Sequence, residues 1–219
     1  MPYIKTAMQP KRPHTRIYLV RHGDPTRELY DKTGDPDLPL SKIGFKKSQL
    51  VARHLKKIGA DTIYSSEFLR AKQTASAYAK KMGIHIRIDA RLNEIDWANW
   101  SRVRYFNLSE KERRKSLKHF KDLDATLDHM QARVRETLDN IVQKNRGKRI
   151  ALFTHGNFIR AAVTGILDAD IIGFLSLEIY QTSVTEIALD KNNDAKINYI
   201  NAVSHLPYPI KEDLFANNL

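Results

Sequence analysis

Apolar positions along the chain keep two rhythms in turn. Ile17-Tyr18-Leu19-Val20 is a continuous β-prone run, the pattern of a strand covered on both faces. From Ser41 to about Ile58 the rhythm becomes helical through Ile43, Leu50, Val51, His54 and Leu55, with Ser41 a fitting N-cap and Gly59 a stop. Thr62-Ile63-Tyr64 returns to strand. Phe68, Ala71, Ala75, Tyr78, Ala79 and Met82 then recur at three and four residues until Gly83, and Ile84–Ile88 alternates as a strand. Leu123, Leu127, Met130, Val134, Leu138 and Ile141 mark one face of a long helix within 101–149. Ile150–Phe153 reads as a buried strand and Asn157–Leu167 as a helix. Two late strands, Tyr180–Leu189 and Lys196–Val203, flank an Asn192-Asn193-Asp194 turn.

Alternation of this kind predicts an α/β fold, a three-layer α/β/α sandwich with a mostly parallel central sheet. In such sheets ligands bind beyond the carboxyl ends of the strands. Thr26 to Pro39 is polar and punctuated by Pro and Gly, hence a loop. The organisation expected is a flexible basic segment over 1–15, then one domain over 16–219 with a helical insertion at about 101–147. No apolar run reaches membrane-span length, and the first fifteen residues lack the apolar stretch of a secretory signal. A cytoplasmic protein without a membrane partner is the expectation, with a homodimer left open.

The composition is globular, 42% hydrophobic and 28% charged, and it holds no cysteine. Disulfides, thiolate metal sites and cysteine nucleophiles are thereby excluded. The net charge of +12 is unevenly spread: residues 101–149 set fourteen Lys/Arg against seven Asp/Glu, whereas 150–219 set four against eight. A basic body predicts an anionic ligand or partner. Nucleic acid is disfavoured, because only Tyr105, Phe106 and Phe120 occur in the basic segment and no stacking platform emerges.

Two strands end alike. Ile17–Val20 runs into Arg21-His22-Gly23, and Ile150–Thr154 runs into His155-Gly156. Each delivers an imidazole to a carboxyl end, followed by a glycine that allows close backbone approach. A third strand ends in Ser65-Ser66, with Arg70 on the first turn of the next helix. A cation there opposes the helix macrodipole unless it shares a bound anion with the helix start. Arg21, His22, Arg70 and His155 thus make a cationic pocket suited to a phosphoryl group. A neutral imidazole can attack phosphorus, while two guanidinium groups and a protonated second histidine stabilise the equatorial oxygens. Arg91-Leu92-Asn93-Glu94-Ile95-Asp96 supplies the proton donor, Glu94 first and Asp96 in reserve.

Leu19-Val20-Arg21-His22-Gly23, Leu40-Ser41-x-x-Gly44, Ser65-Ser66-x-x-x-Arg70-Ala71-x-Gln73-Thr74-Ala75, Leu92-x-Glu94 and Thr154-His155-Gly156 resemble, in order, the histidine phosphatase superfamily in its phosphoglycerate mutase-like branch. The resemblance implies His22 as the phosphorylated nucleophile. Arg21, Arg70 and His155 would hold the phosphoryl group, and Glu94 would serve as acid and then base. Gly156 and Asn157 are candidate substrate contacts. No metal or organic cofactor is implied; the substrate would be a small phosphorylated metabolite. Arg27-Glu28 stands where such proteins often carry an Asn, and Ala98-Asn99-Trp100-Ser101-Arg102 keeps a Trp but loses the glycines usual around it. The interval from Glu94 to His155 is short for a lid-bearing mutase, and Arg113-Arg114 reads better as a solvated helix face than as a second phosphate clamp. A phosphatase is therefore expected. His155-Gly156-Asn157-x-x-Arg160 speaks for the mutase alternative, and a non-catalytic interaction module is the third reading.

Overall fold

A computed structural model describes residues 14–26, 29, 37–95 and 110–207. Six strands form one sheet: β1 (Thr15–Arg21), β2 (Thr62–Ser65), β3 (Ile86–Ile88), β4 (Arg149–Thr154), β5 (Val184–Leu189) and β6 (Ala195–Ala202), in the order β3-β2-β4-β1-β5-β6. The first four pair in parallel, and β5 runs antiparallel to both β1 and β6. Only β5 is reversed, so the mostly parallel sheet is as expected.

Helices cover both faces. On one, α1 (Lys42–Ile58) and α2 (Leu69–Met82) bury Val51, Leu55, Ala75 and Tyr78 against Tyr18, Val20, Ile63 and Phe153. On the other, α3 (Glu110–Gln143), α4 (Gly156–Leu167) and α5 (Ile171–Ser176) bury Leu127, Val134, Phe158 and Phe174 against Ile17, Leu19, Leu152 and Ile187. Successive residues of β1 alternate between these two cores, the period-2 rule for a strand covered on both sides. No helix among the described residues is long and apolar enough to cross a membrane.

Local chemistry sets the helix ends. Ser41 Oγ accepts from Gly44 N at 3.1 Å, and Gly59 and Gly83 close α1 and α2 at φ +72° and +65°. The N-cap position of α2, Phe68, offers no side-chain acceptor; Asp37 instead reaches in, its Oδ1 accepting from Leu69 N at 2.5 Å. Asp37 thus already supplies an anion at the helix start that Arg70 was expected to share with a ligand. The stretch between β1 and α1 is fastened where it leaves and where it returns. Pro25 bridges Leu40, Thr26 N donates to Pro39 O at 2.9 Å, and Leu40 N donates to Gln73 Oε1 at 2.7 Å.

Several boundaries depart from the sequence reading. Tyr180 to Ser183 is no strand but a turn: Thr182 sits at φ +60°, and its N–H is shared by the carbonyls of Arg21 (3.1 Å) and His22 (3.3 Å). Holding a β-branched residue in the left-handed region takes tertiary contacts that no local pattern signals. β3 starts at Ile86, because Ile84 N still serves α2 through Ala79 O. α5 was not anticipated; Asp170 caps it through Gly173 N at 3.0 Å. α3 fills most of the 101–147 interval, beginning at Glu110. The basic segment 1–13, Arg27-Glu28, Asp96 and the Trp100 stretch lie outside the described residues, as do the side chains of Arg113, Arg114 and Leu123.

Candidate active site

Parallel pairing of β1 with β4 puts Arg21 opposite Thr154. The next residue of each strand is a histidine, so the two imidazoles meet at the carboxyl end of the sheet. Their ring centroids are 5.0 Å apart, both rings are buried, and His22 N extends the ladder to Thr154 O at 3.0 Å.

The hydrogen bonds assign a tautomer to each ring. His22 Nδ1 lies 2.7 Å from Gly23 O, an acceptor only, so Nδ1 carries the proton and Nε2 the lone pair. Arg70 Nε donates to that Nε2 at 3.2 Å, and Arg70 Nη2 donates to His155 Nδ1 at 3.2 Å. His155 therefore carries its proton on Nε2 and donates it to Ser66 Oγ at 2.7 Å. Phe68 meets the His155 ring edge-on at 5.2 Å, and the Arg70 guanidinium lies 4.6 Å from the Phe68 centroid.

Burial drives both imidazoles well below the ordinary histidine range. For His22 the neighbouring His155, Arg21 and Arg70 add to it; for His155, Arg70 and Arg21 do. In the free site His155 is therefore held toward its neutral form beside the two half-buried arginines, whereas the sequence reading has it protonated against a phosphoryl group. Glu94 moves the other way. Burial raises it above 4.5, against the pull of Arg21, Arg70 and the two backbone amides that its Oε1 accepts, Ile95 N at 3.1 Å and Asn157 N at 3.2 Å.

The surrounding chain fixes these groups. Arg21 donates from Nη1 to Ile179 O, in the segment that leads to the Thr182 turn. Thr74 Oγ1 accepts from Gly23 N at 2.9 Å and donates to Arg70 O at 2.7 Å, tying the loop after His22 to α2. A Cβ on Gly23 would lie 2.8 Å from Gly44 O, and one on Gly44 would lie 2.2 Å from Asp24 O, so this crossing requires glycine twice. Gly156 differs: a Cβ there meets the Arg21 guanidinium at an ordinary 3.4 Å. Asn157, expected to face substrate, spends its amide inward. Nδ2 donates to Ile95 O at 3.0 Å, and Arg160 Nη1 donates to Oδ1 at 3.5 Å.

The structure thus brings Arg21, His22, Arg70, Glu94 and His155 together. Sequence reasoning missed Ser66, Thr74 and Asp37 as their supports. Ser66 and Thr74 stood within the quoted motif, but Asp37 gave no local signal. Among the described residues no group of three or more His, Asp or Glu is placed to hold a metal ion. A separate cleft of about 510 Å³ between α3, α4 and the sheet, lined by Ile17, Val134, Leu138 and Ile187, contains none of the five residues.

The family profile of the histidine phosphatase superfamily, branch 1, matches residues 17–202. A relative from Hydrogenobacter thermophilus, named "Putative phosphoserine phosphatase 2", is 24% identical over 200 residues, covering 87% of this chain and 97% of the relative. One from Cronobacter sakazakii, named "Probable phosphoglycerate mutase GpmB", is 25% identical over 211 residues, covering 91% and 98%. Among solved structures, Bacillus stearothermophilus YhfR superposes with a TM-score of 0.69 at 25% identity, covering 87% of this chain and 98% of that one. A phosphoserine phosphatase mutant from Entamoeba histolytica superposes at 0.69 and 21% identity, covering 88% and 100%, and supports the fold.

Proposed function

The chain belongs to the histidine phosphatase superfamily, and from that membership we propose that it hydrolyses a phosphomonoester of a small metabolite through a phosphohistidine on His22. The observation that carries the reading is the tautomer of His22: Nδ1–H is tied to Gly23 O, so the Nε2 lone pair is left as nucleophile. Nε2 attacks phosphorus in line with the ester oxygen. The N–P bond forms as the P–O bond breaks, and protonated Glu94 gives its proton to the departing alcohol. Arg21, Arg70 and His155 hold the three equatorial oxygens. Glu94, now ionised, takes a proton from water as the water oxygen attacks phosphorus. The N–P bond breaks, inorganic phosphate leaves, and both groups return to their starting states.

The phosphoryl charge is met by guanidinium and imidazole groups, so the activity is expected to persist in excess chelator. Relatives named as phosphatases and as mutases both stand near this chain. The inward-turned amide of Asn157 favours hydrolysis, because the residue of the mutase-like His-Gly-Asn motif is occupied with the acid's loop.

A rapid alkaline quench of enzyme mixed with p-nitrophenyl phosphate should trap acid-labile phosphate on His22. Label on His155, or strict dependence on a divalent ion, would overturn the mechanism. Interconversion of phosphoglycerates primed by a bisphosphate, with little phosphate release, would establish the mutase reading instead.

A further inference from the structure

Every Asp or Glu is missing from one helical layer. α1 carries six Lys/Arg and α2 four, and neither helix has an acid. In the opposite layer α3 sets eight Lys/Arg against seven Asp/Glu. The asymmetry thus belongs to one face and not to the basic composition at large. Arg70 serves the site, and Lys47 is buried against Asp24 at 3.0 Å. Of the other eight, seven are exposed, and among the described residues none is within ion-pair distance of an acid.

Lys56, Lys57, Lys80 and Lys81 end their helices, where the macrodipole favours cations. Lys42 and Lys46 have no such reason. Lys42 opens α1, at the terminus that repels a cation, and no acid stands in the first turn. Between these lysines Ile43 is 41% and Phe45 56% exposed. Gly44, from the same turn, is buried against Asp24, two residues beyond His22, so the patch is the outward side of the turn whose inward side packs on the His22 loop.

We propose that Lys42, Ile43, Phe45 and Lys46 dock the protein on an anionic lipid surface. Phe45 and Ile43 enter the headgroup region and the lysines meet the lipid phosphates and carboxylates. Peripheral docking needs no spanning helix. A nucleic acid would use the cations and could stack on Phe45, but it gives an exposed Ile43 no role.

The test is co-sedimentation of the intact protein with phosphatidylcholine vesicles, with and without phosphatidylserine. Binding should require phosphatidylserine and weaken with salt. Lys42→Gln and Lys46→Gln should each lower partitioning about fivefold, and Phe45→Ser roughly tenfold, with hydrolysis of soluble p-nitrophenyl phosphate unchanged. Arg133→Gln and Arg135→Gln, which remove the same charge from α3, should leave binding intact. Equal weakening by the α3 substitutions would reduce the effect to net charge and overturn the proposal. So would absence of vesicle binding, salt-sensitive binding to duplex DNA in its place, or a concentration-dependent dimer abolished by Phe45→Ser. Vesicle binding is read without turnover, so it stands or falls apart from the proposed phosphatase chemistry.

Discussion

Arg70 Nε donates to Nε2 of His22, the nitrogen to which the proposed mechanism gives the attack on phosphorus. The guanidinium therefore occupies the nucleophile's lone pair in the free site, and an arriving phosphoryl oxygen has to take over that N–H before reaction. Arg70→Lys keeps a charge but cannot span both imidazoles. It should lower kcat/KM about 10²–10³-fold and weaken inhibition by vanadate, both read in steady-state assays. Arg70 also helps to depress the His22 pKa, so the acid limb of the pH profile should move to higher pH in Arg70→Ala.

In the proposed mechanism attack needs neutral His22, and leaving-group departure needs protonated Glu94. His22 is held well below 6.5 and Glu94 is raised above 4.5, burial being the first cause of each. The rate should climb as pH rises through the depressed His22 value and fall as it rises through the raised Glu94 value, giving a bell-shaped profile in kcat/KM. Glu94→Gln should cost about 10²–10⁴-fold on alkyl phosphates, less on p-nitrophenyl phosphate, and should flatten the alkaline limb. An unchanged alkaline limb in Glu94→Gln would assign it to another group.

The same shifts act on stability in opposite directions. His22 and His155 have depressed folded values, so below 6.5 the unfolded chain binds protons that the folded chain refuses, and stability falls as pH drops from there. Glu94 has a raised folded value. Its contribution is complete below 4.5 and is lost as pH rises through that folded value. Thermal unfolding followed from about pH 4 to pH 8 should therefore show Glu94→Gln more stable than the parent at neutral pH, with the gain gone at the acid end.

Gly44 and Gly83 offer a steric contrast. An alanine at 44 must push Asp24 aside, which should cost on the order of 3 kcal/mol in urea unfolding and disturb turnover with it. At Gly83 nothing lies within 4 Å and only φ +65° resists a side chain, so alanine should cost about 1 kcal/mol and leave kinetics alone.

Features legible in the sequence are those whose causes lie within a few residues. Ser41, Gly59 and Gly83 bound their helices by local capping, and the two strand–His–Gly endings announced the meeting of His22 and His155. Contacts between distant segments were not legible. Asp37 caps a helix from thirty-two residues upstream, Thr182 is turned left-handed by the carbonyls of Arg21 and His22, and Asn157 faces Ile95 instead of open space. Each depends on where another segment has already been placed.

The fastening of the chain at Pro25–Leu40 and Thr26–Pro39, with Asp37 tied to Leu69 and Leu40 to Gln73, makes the residues between Thr26 and Asp37 an exchangeable cassette. Both ends are set by backbone pairing and by the side chains of Asp37 and Gln73, none of which lies inside the interval. Doubling the interval adds only about 0.6 kcal/mol of closure entropy. A change of length between these flanks is therefore a small perturbation, because Pro25 and Leu40 are held by partners outside the interval and β1 still delivers His22 to the same place.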